Sequence, residues 1–526
     1  MNRRHAKIYR PAGIALLIGF LLHAAPSFAG IDQPMDEAAA RAMLNRFGYG
    51  ADRASLTATT GMTPRHYLDR AIRSQPAYPA PLNSQLAASP AARPLDRLWP
   101  LYGPGGSERM EKRVTNQPAV SDTMRSQREL DGRQMLVAAS TDRLLESVNS
   151  DNPGHEALLN FWLNHFSIHG LKQINKFLAA DYTRQLQQAM REDSFAALLK
   201  ASFFHPAMQI YLDNNRSIAA NSRFARRAER MGQQLGINEN LARELLELHT
   251  LGIDSGYTQA DVQALARIIT GAGVLNNRLP ERVVTAPGAE RIGYFFFDPN
   301  RHDFGEKRLL GRSYQAGRGI DEIRQALDQL TSHPKTAEHI AGKLARRFLA
   351  DEPPADVVKA MAAAYRNSGA RISATLAPLL DSPTFAESLQ RPTKFKEPVD
   401  FVLSAARAVC DGQVIGNGQL LWRSAQDQGQ APFMRTTPDG YGSQEADWLS
   451  PAAMAKRIRL AQTLANRPVP LAIGADGKDF APCRPDISTV RASVGRLSPE
   501  TRAALDGLTP QEEMAALLAS PEFMRR

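Results

Sequence analysis

Asn238-Glu-Asn-Leu-Ala-Arg-Glu-Leu-Leu-Glu-Leu-His-Thr-Leu-Gly252 is the stretch that decides the fold class. Asn238 suits an N-cap and Gly252 a C-terminal stop, so a helix of about three turns is expected between them. Setting the residues at 100° intervals places Leu241, Leu245, Leu246 and Leu248 on one side, with His249 among them. Asn240, Glu244 and Glu247 form a narrow polar stripe opposite, with Arg243 beside it. Such a helix buries one face and leaves the other polar. The same three- and four-residue spacing recurs along most of the chain.

Working outward, apolar residues at helical spacing mark 36–47, 63–73, 129–148, 155–168, 176–191, 194–204, 222–235 and 259–270. Helices resume at 320–331, 335–349, 355–367, 371–380 and 395–409. Tyr294-Phe-Phe-Phe297 and Lys307-Arg-Leu-Leu310 read as two short strands joined by a loop. The fold expected is mainly α: a large multi-helix domain with a small two-stranded β element near 294–310 and a C-terminal helical lobe. The divisions expected are N-terminal helices over 30–140, a helical core over 141–410 and the lobe over 411–526. Residues 76–116, rich in Pro, Gly, Ser and charge, are expected to form a long irregular insertion. Leu379-Leu-Asp-Ser-Pro-Thr-Phe385 is echoed by Leu517-Leu-Ala-Ser-Pro-Glu-Phe523, and Ser followed by Pro is a helix-start signal.

Residues 1–29 have the three parts of a secretory signal. Arg3, Arg4, Lys7 and Arg10 form a basic start, Ile14 to Leu22 an apolar run, and Pro26-Ser-Phe-Ala29 a small-residue exit. Nine residues are too few to span a bilayer, which needs about 20, so cleavage after Ala29 is expected rather than retention as an anchor. No later segment is apolar enough to cross a membrane. Removing the four cations takes the net charge from +10 to +6, too mild over such a length to argue for nucleic-acid binding. The two cysteines, Cys410 and Cys483, could pair in an oxidising compartment or remain two buried thiols. They form neither a zinc knuckle nor a haem-attachment motif.

Three segments carry groups capable of chemistry. On the first, Glu244 and Glu247, three apart, could hold one ion together, or form a solvated face paired with Arg243. Glu244 and His249 stand ~140° apart on a regular helix and are not expected to act together. The second, Phe161-Trp-Leu-Asn-His-Phe-Ser-Ile-His169, offers Asn164 and His165. His165 and His169 have a metal-sharing spacing, but Gly170 ends the helix and the zinc-protease glutamate is missing. The third, Arg301-His-Asp-Phe-Gly-Glu-Lys307, brings an imidazole, a carboxylate and an ammonium within seven residues. There Asp303 could orient His302 as a general base while Lys307 stabilises negative charge, or the loop is simply polar. Thr258-Gln-Ala-Asp261 is expected as a capping box. No Walker loop, GxGxxG, GxSxG or CxxC occurs, so the corresponding nucleotide, serine-hydrolase and redox chemistries have no motif here.

These segments together resemble a bacterial family known as domain of unknown function 1800. The resemblance runs through Leu44-Asn-Arg-Phe-Gly48, Phe161-Trp-Leu-Asn-His-Phe166, His205-Pro-Ala-Met208, Tyr211-Leu-Asp-Asn214, Asn238 to Gly252, Gly256-Tyr-Thr-Gln259, His302-Asp-Phe-Gly305 and Ser520-Pro-Glu-Phe523. It implies an exported, mostly helical protein whose partner would be an exported protein of the domain of unknown function 1501 family. It implies no reaction and no cofactor. Family members commonly read Phe-Trp-His-Asn-His-Phe, and Leu163 stands here where the first His would be. Two functions stay open: an envelope or extracellular enzyme of hydrolase or transferase type using the eight polar residues above, or a non-catalytic assembly or binding factor.

Overall fold

The computed structural model describes residues 30–106, 122–231, 236–475, 477, 479–483 and 485–526. The expected signal segment, 1–29, and the second part of the expected insertion, 107–116, lie outside the described residues. The chain is mainly helical. Each helix follows from a local signal. Helix α1 (Asp122–Asn149) and helix α2 (Pro153–His165) meet at Asn152, whose side chain accepts from the His155 N–H, with Pro153 in the first turn. Pro is tolerated there because its missing N–H would have no partner anyway.

Helix α2 is covered on nearly every side. Leu158, Leu159 and Trp162 are fully enclosed, and each such side chain contributes roughly 1.5–3 kcal/mol by leaving water. Its polar residues are then obliged to find partners. Glu156 pairs with Arg143 of α1 and accepts from the Tyr78 hydroxyl at 2.9 Å. Arg143 also donates to Asn160 at 2.8 Å. This enclosed network fixes the two helices against each other.

The decisive stretch departs from the expected helix in a specific way. Helix α3 (Asn240–Glu244) is regular, but Leu245–His249 widens into a π-turn. Asn238 caps one residue earlier than a true N-cap would, accepting from the Asn240 N–H at 2.9 Å while Glu239 takes the N-cap place. Gly252 does stop the helix: its N–H donates to the Leu246 carbonyl, six residues back, with φ at +93°. Thr258 and Asp261 form the expected capping box of helix α4 (Gln259–Ile268).

The β element differs from expectation in its pairing. Strand β3 (Phe295–Phe297) does not pair with the segment at 307–310. It runs antiparallel between β1 (Ala272–Val274) and β2 (Glu290–Ile292). Strand β4 (Lys307–Leu309) instead pairs with β5 (Arg312–Tyr314). The reason is the turn between them. Leu310 and Gly311 have φ of +47° and +80°, as a two-residue hairpin turn requires, so β4 finds its partner locally.

Helices α5 (Ile320–Ser332) and α6 (Pro334–Phe348) follow, joined at His333, which caps α6. The insertion expected to be irregular contains helices at Ala80–Ala88 and Leu95–Tyr102. Leu82, Leu98 and Trp99 are buried from it, so a few well-spaced apolar residues outweigh the Pro- and Ser-rich composition. The sequence echo is half realised. Ser382-Pro383 starts the helix Pro383–Gln390, whereas Ser520 caps a turn, its hydroxyl accepting from the Phe523 N–H at 3.1 Å.

One large apolar core gathers residues from Ile31 to Leu389. A second gathers Phe395 to Met524 with Tyr49, Leu82, Leu144, Leu145, Val148 and Ala157. The second core therefore begins at Phe395, just before helix α7 (Pro398–Cys410), and leans on α1. Cys410, the last residue of α7, is bonded to Cys483 beyond the hairpin of β6 (Pro470–Ile473) and β7 (Phe480–Pro482). The bridge closes a separation of 73 residues, worth about 4 kcal/mol in the chain-entropy picture. Replacing both cysteines by serine should lower the urea unfolding free energy of this region by that order. Equal midpoints for the oxidised wild type and the double variant would contradict it.

Candidate functional site

The structure sorts the eight sequence-selected residues into two groups. His302, Asp303 and Lys307 are the first. All are buried, and the side chains of His302, Lys307 and Glu322 have no exposed surface at all. Asp303 does not orient His302. Its carboxylate is taken by Arg267 of α4 at 2.8 Å and by the Gly305 N–H at 2.8 Å. The His302 ring faces the Thr270 carbonyl at 2.7 Å through Nδ1, and the Arg318 carbonyl and Glu322 Oε1 at 3.1 Å through Nε2. Lys307 donates to the same Glu322 oxygen at 2.5 Å. Glu322, on α5, is the partner that spacing in the sequence could not reveal. This sealed network ties the 298–306 loop to α4 and α5, and no face of it is open to a substrate.

The second group forms around the π-turn. Asn164, at the end of α2, donates to the Tyr441 carbonyl at 2.9 Å and accepts from the Tyr441 N–H at 2.7 Å. Gly440 makes this approach possible: a Cβ there would lie 2.3 Å from the Asn164 carbonyl, and its φ is +76°. His165, the next residue, is 1% exposed and packs edge-on against Phe166. Its Nε2–H donates to the His249 carbonyl at 3.2 Å. The Nε2–H of His339, from α6, donates to the adjacent Leu248 carbonyl at 3.1 Å. A carbonyl only accepts, so both rings carry their hydrogen on Nε2 and present Nδ1 as a lone pair. The Nδ1 of His165 and the Nε2 of His249 are buried without a partner.

Charge at this place is unevenly balanced. Burial, with the nearby Lys343 charge, holds His165 well below the usual imidazole range, His249 at about 3 and His339 at about 4. Burial also pulls Lys343 down to about 8, helped by Arg346 and opposed by Asp439. Burial also raises Glu244 to about 7, with the Glu247 and Asp439 charges adding to it against Arg243. For Asp439 burial works upward, but hydrogen bonds from Arg435 and Thr437 outweigh it and keep the carboxyl below its ordinary value. Glu247 accepts from the Tyr257 hydroxyl at 2.5 Å, while Arg243 reaches Glu239 at 3.3 Å, Glu247 at 3.5 Å and Gln259 at 2.9 Å.

Asn164, His165, Arg243, Glu244 and Glu247 are thus gathered around one turn. Among the described residues, no hydrogen bond, ion pair or ring contact joins them to His302, Asp303 or Lys307. Glu244 is half-exposed and His249 enclosed, and the π-turn between them replaces the regular spacing on which their expected separation was based. His169 lies beyond the end of α2 and shares no helix face with His165. Three residues that complete the site, His339, Lys343 and Asp439, went unselected. The first two had a signal, since they are four apart on the side of α6 away from Ile340, Leu344 and Phe348. Asp439 had none, because it arrives from a loop 195 residues away from Glu244 in sequence. Among the described residues, no group of three or more His, Cys, Asp or Glu side chains is arranged to hold a metal ion, and no helix is long and apolar enough to cross a membrane. A cavity of about 120 Å³ lined by Asp52, Val148, Arg407 and Cys410 lies elsewhere, beside the disulfide.

A family model described as "Protein of unknown function (DUF1800)" matches residues 42–525. The chain belongs to the DUF1800 family. No curated protein and no solved structure matches it. The matched span contains both the π-turn segment and the α2 segment.

A histidine held neutral in the fold but free to protonate when unfolded favours the fold above pH about 6.5 and loses that favour as pH falls. The slope is up to about 1.4 kcal/mol per pH unit for each such group. His339, at about 4 in the fold against an ordinary 6.5, should therefore steepen the loss of stability between pH 6.5 and 4. His339→Gln removes that contribution. Urea midpoints at pH 7, 6 and 5 should fall less steeply in the variant; identical slopes would refute the neutral assignment.

Proposed function

We propose that this protein is an exported enzyme of the hydrolase or transferase type, with its site where the end of α2, the π-turn, α6 and the 435–441 loop meet. The observation that carries this reading is the pairing of two carboxyl groups in opposite states. Among the described residues Glu244 accepts no hydrogen bond, and burial beside another carboxylate lets it keep its proton up to about pH 7. Asp439 is held ionised by Arg435 and Thr437. Environments that drive two carboxyl groups apart supply an acid and a base to one reaction. Glu244 would protonate a leaving group, Asp439 would assist the attacking nucleophile or a developing positive charge, and Asn164 would hold the loop that carries Asp439. The π-turn agrees with this placement, since such widened turns recur at functional sites.

Export is part of the same proposal, to the periplasm or the exterior. It is supported by the three-part N-terminal signal and by the Cys410–Cys483 bond, which an oxidising compartment maintains. The family resemblance adds an exported protein of the domain of unknown function 1501 family as its partner. The non-catalytic alternative draws support from the sealed His302–Glu322–Lys307 network, which behaves as a packing device. It does not account for the half-exposed Glu244.

The test is turnover of chromogenic esters, glycosides and phosphate esters by the mature protein. At least one class should be cleaved, with Glu244→Gln lowering kcat by about 100-fold or more, the usual weight of a positioned general acid. Glu338→Gln, an exposed carboxylate on the same α6 helix as Lys343, should leave the rate unchanged. Cleavage that survives Glu244→Gln would overturn the assignment.

A further inference from the structure

Helix α6 turns one stripe away from the apolar core. Its half-buried positions there are His339, Lys343 and Arg346, set between the enclosed Ile340, Ala341, Leu344, Ala345 and Phe348. His339 is spent on the Leu248 carbonyl. Lys343 and Arg346, three apart on the same face, have neither a hydrogen bond nor an ion pair among the described residues.

That is unusual within this fold. The other buried cations find partners: Lys172, Lys176, Lys394, Arg143, Arg347 and Arg407 each hold a carboxylate, Arg46, Arg301 and Arg457 donate to backbone carbonyls, and Lys396 lies over the Phe523 ring. Surroundings offer Lys343 and Arg346 no substitute. His165 from α2, His249 from the π-turn and His339 from α6 are neutral. Asp439 from the 435–441 loop attracts Lys343 but spends its oxygens on Arg435 and Thr437. Like charges on one helix face repel, and half-burial removes water that would otherwise solvate them. A bound anion removes both penalties. A guanidinium offers paired N–H donors to a planar or tetrahedral oxyanion, and the lysine beside it a point charge.

We propose that Lys343 and Arg346 form the receptor for an oxyanion, a carboxylate, phosphate or sulfate group carried by the substrate of the Glu244–Asp439 site. The proposal rests on that functional reading for the word substrate only. Asp439 is the charged group common to both, acting on Lys343 and on Glu244, so a ligand anchored at the stripe would extend past Asp439 to meet the proton donor. Neutralisation of Asp439 by Arg435 keeps that path from repelling it.

Calorimetric titration with inorganic phosphate, sulfate and acetate, at constant ionic strength set by chloride, tests this. At least one should bind saturably to the wild type, and the one that binds separates phosphate and sulfate groups from carboxylates. Lys343→Met and Arg346→Met should each weaken binding tenfold or more. Lys335→Met, an exposed lysine paired with Glu338, should leave it intact. Glu244→Gln should also keep it, so that loss of turnover without loss of binding separates the two proposals. If Lys343→Met fails to fold, Lys343→Gln and Arg346→Met carry the test. Saturable binding unaffected by the Lys343 and Arg346 variants, or no saturable binding of any of the three anions, overturns the proposal.

Discussion

The backbone of Leu245 to His249 is the constraint on which the site depends. A helix end leaves its last carbonyls without partners, and burial makes each of them costly. Here the Leu248 and His249 carbonyls are paid off by two imidazoles, His339 from α6 and His165 from α2. Two helices far apart in sequence are thereby pinned to one turn. The bonds also fix the tautomer of both rings. Neutral imidazoles beside Lys343 follow from enclosure, and the unbalanced charge of the stripe on α6 follows from their neutrality.

The polar residues of this protein divide by access more than by chemical type. The His302–Lys307–Glu322 group has the ingredients of an acid–base site, yet its side chains are sealed. It works as a clamp between a β-hairpin and two helices. The π-turn group has similar ingredients, but Glu244, Lys343, Arg346 and Asp439 reach a surface. Enclosed networks are stable when every member is satisfied. The first group nearly meets that condition, with one Glu322 oxygen unpartnered. In the second, a lysine and an arginine have no hydrogen-bond or ion-pair partner among the described residues, and that imbalance is the basis of the proposed anion receptor.

Helices were legible because periodicity is local. α2, α4, α5 and α6 all fall within a few residues of where apolar spacing puts them, and the Thr258–Asp261 box was readable from two residues three apart. Pairing was not legible to the same degree. Phe295–Phe297 announces a strand but not its neighbours, and the hairpin that captures β4 depends on positive φ at Leu310, a residue that gives no sign of it. The widened turn was invisible for a similar reason, since Leu-Leu-Glu-Leu-His reads as plain α-helix. Of the site, the α2 and π-turn residues were found because they lie in dense motifs. His339 and Lys343 look like an ordinary outer helix face, and only tertiary packing shows that this face is covered and charged. Asp439 depends on Gly440 fitting over the Asn164 carbonyl, a contact that sequence alone does not encode.

The central claim is that Lys343 has no counter-ion among the described residues and sits beside neutral histidines, and its own titration reports this most directly. Acetylation of the folded protein by a low concentration of amine-reactive reagent, followed across pH by peptide mass spectrometry, yields the midpoint for that lysine. The account predicts half-maximal reactivity near pH 8. A midpoint near 10.5, the ordinary value for lysine, would contradict it.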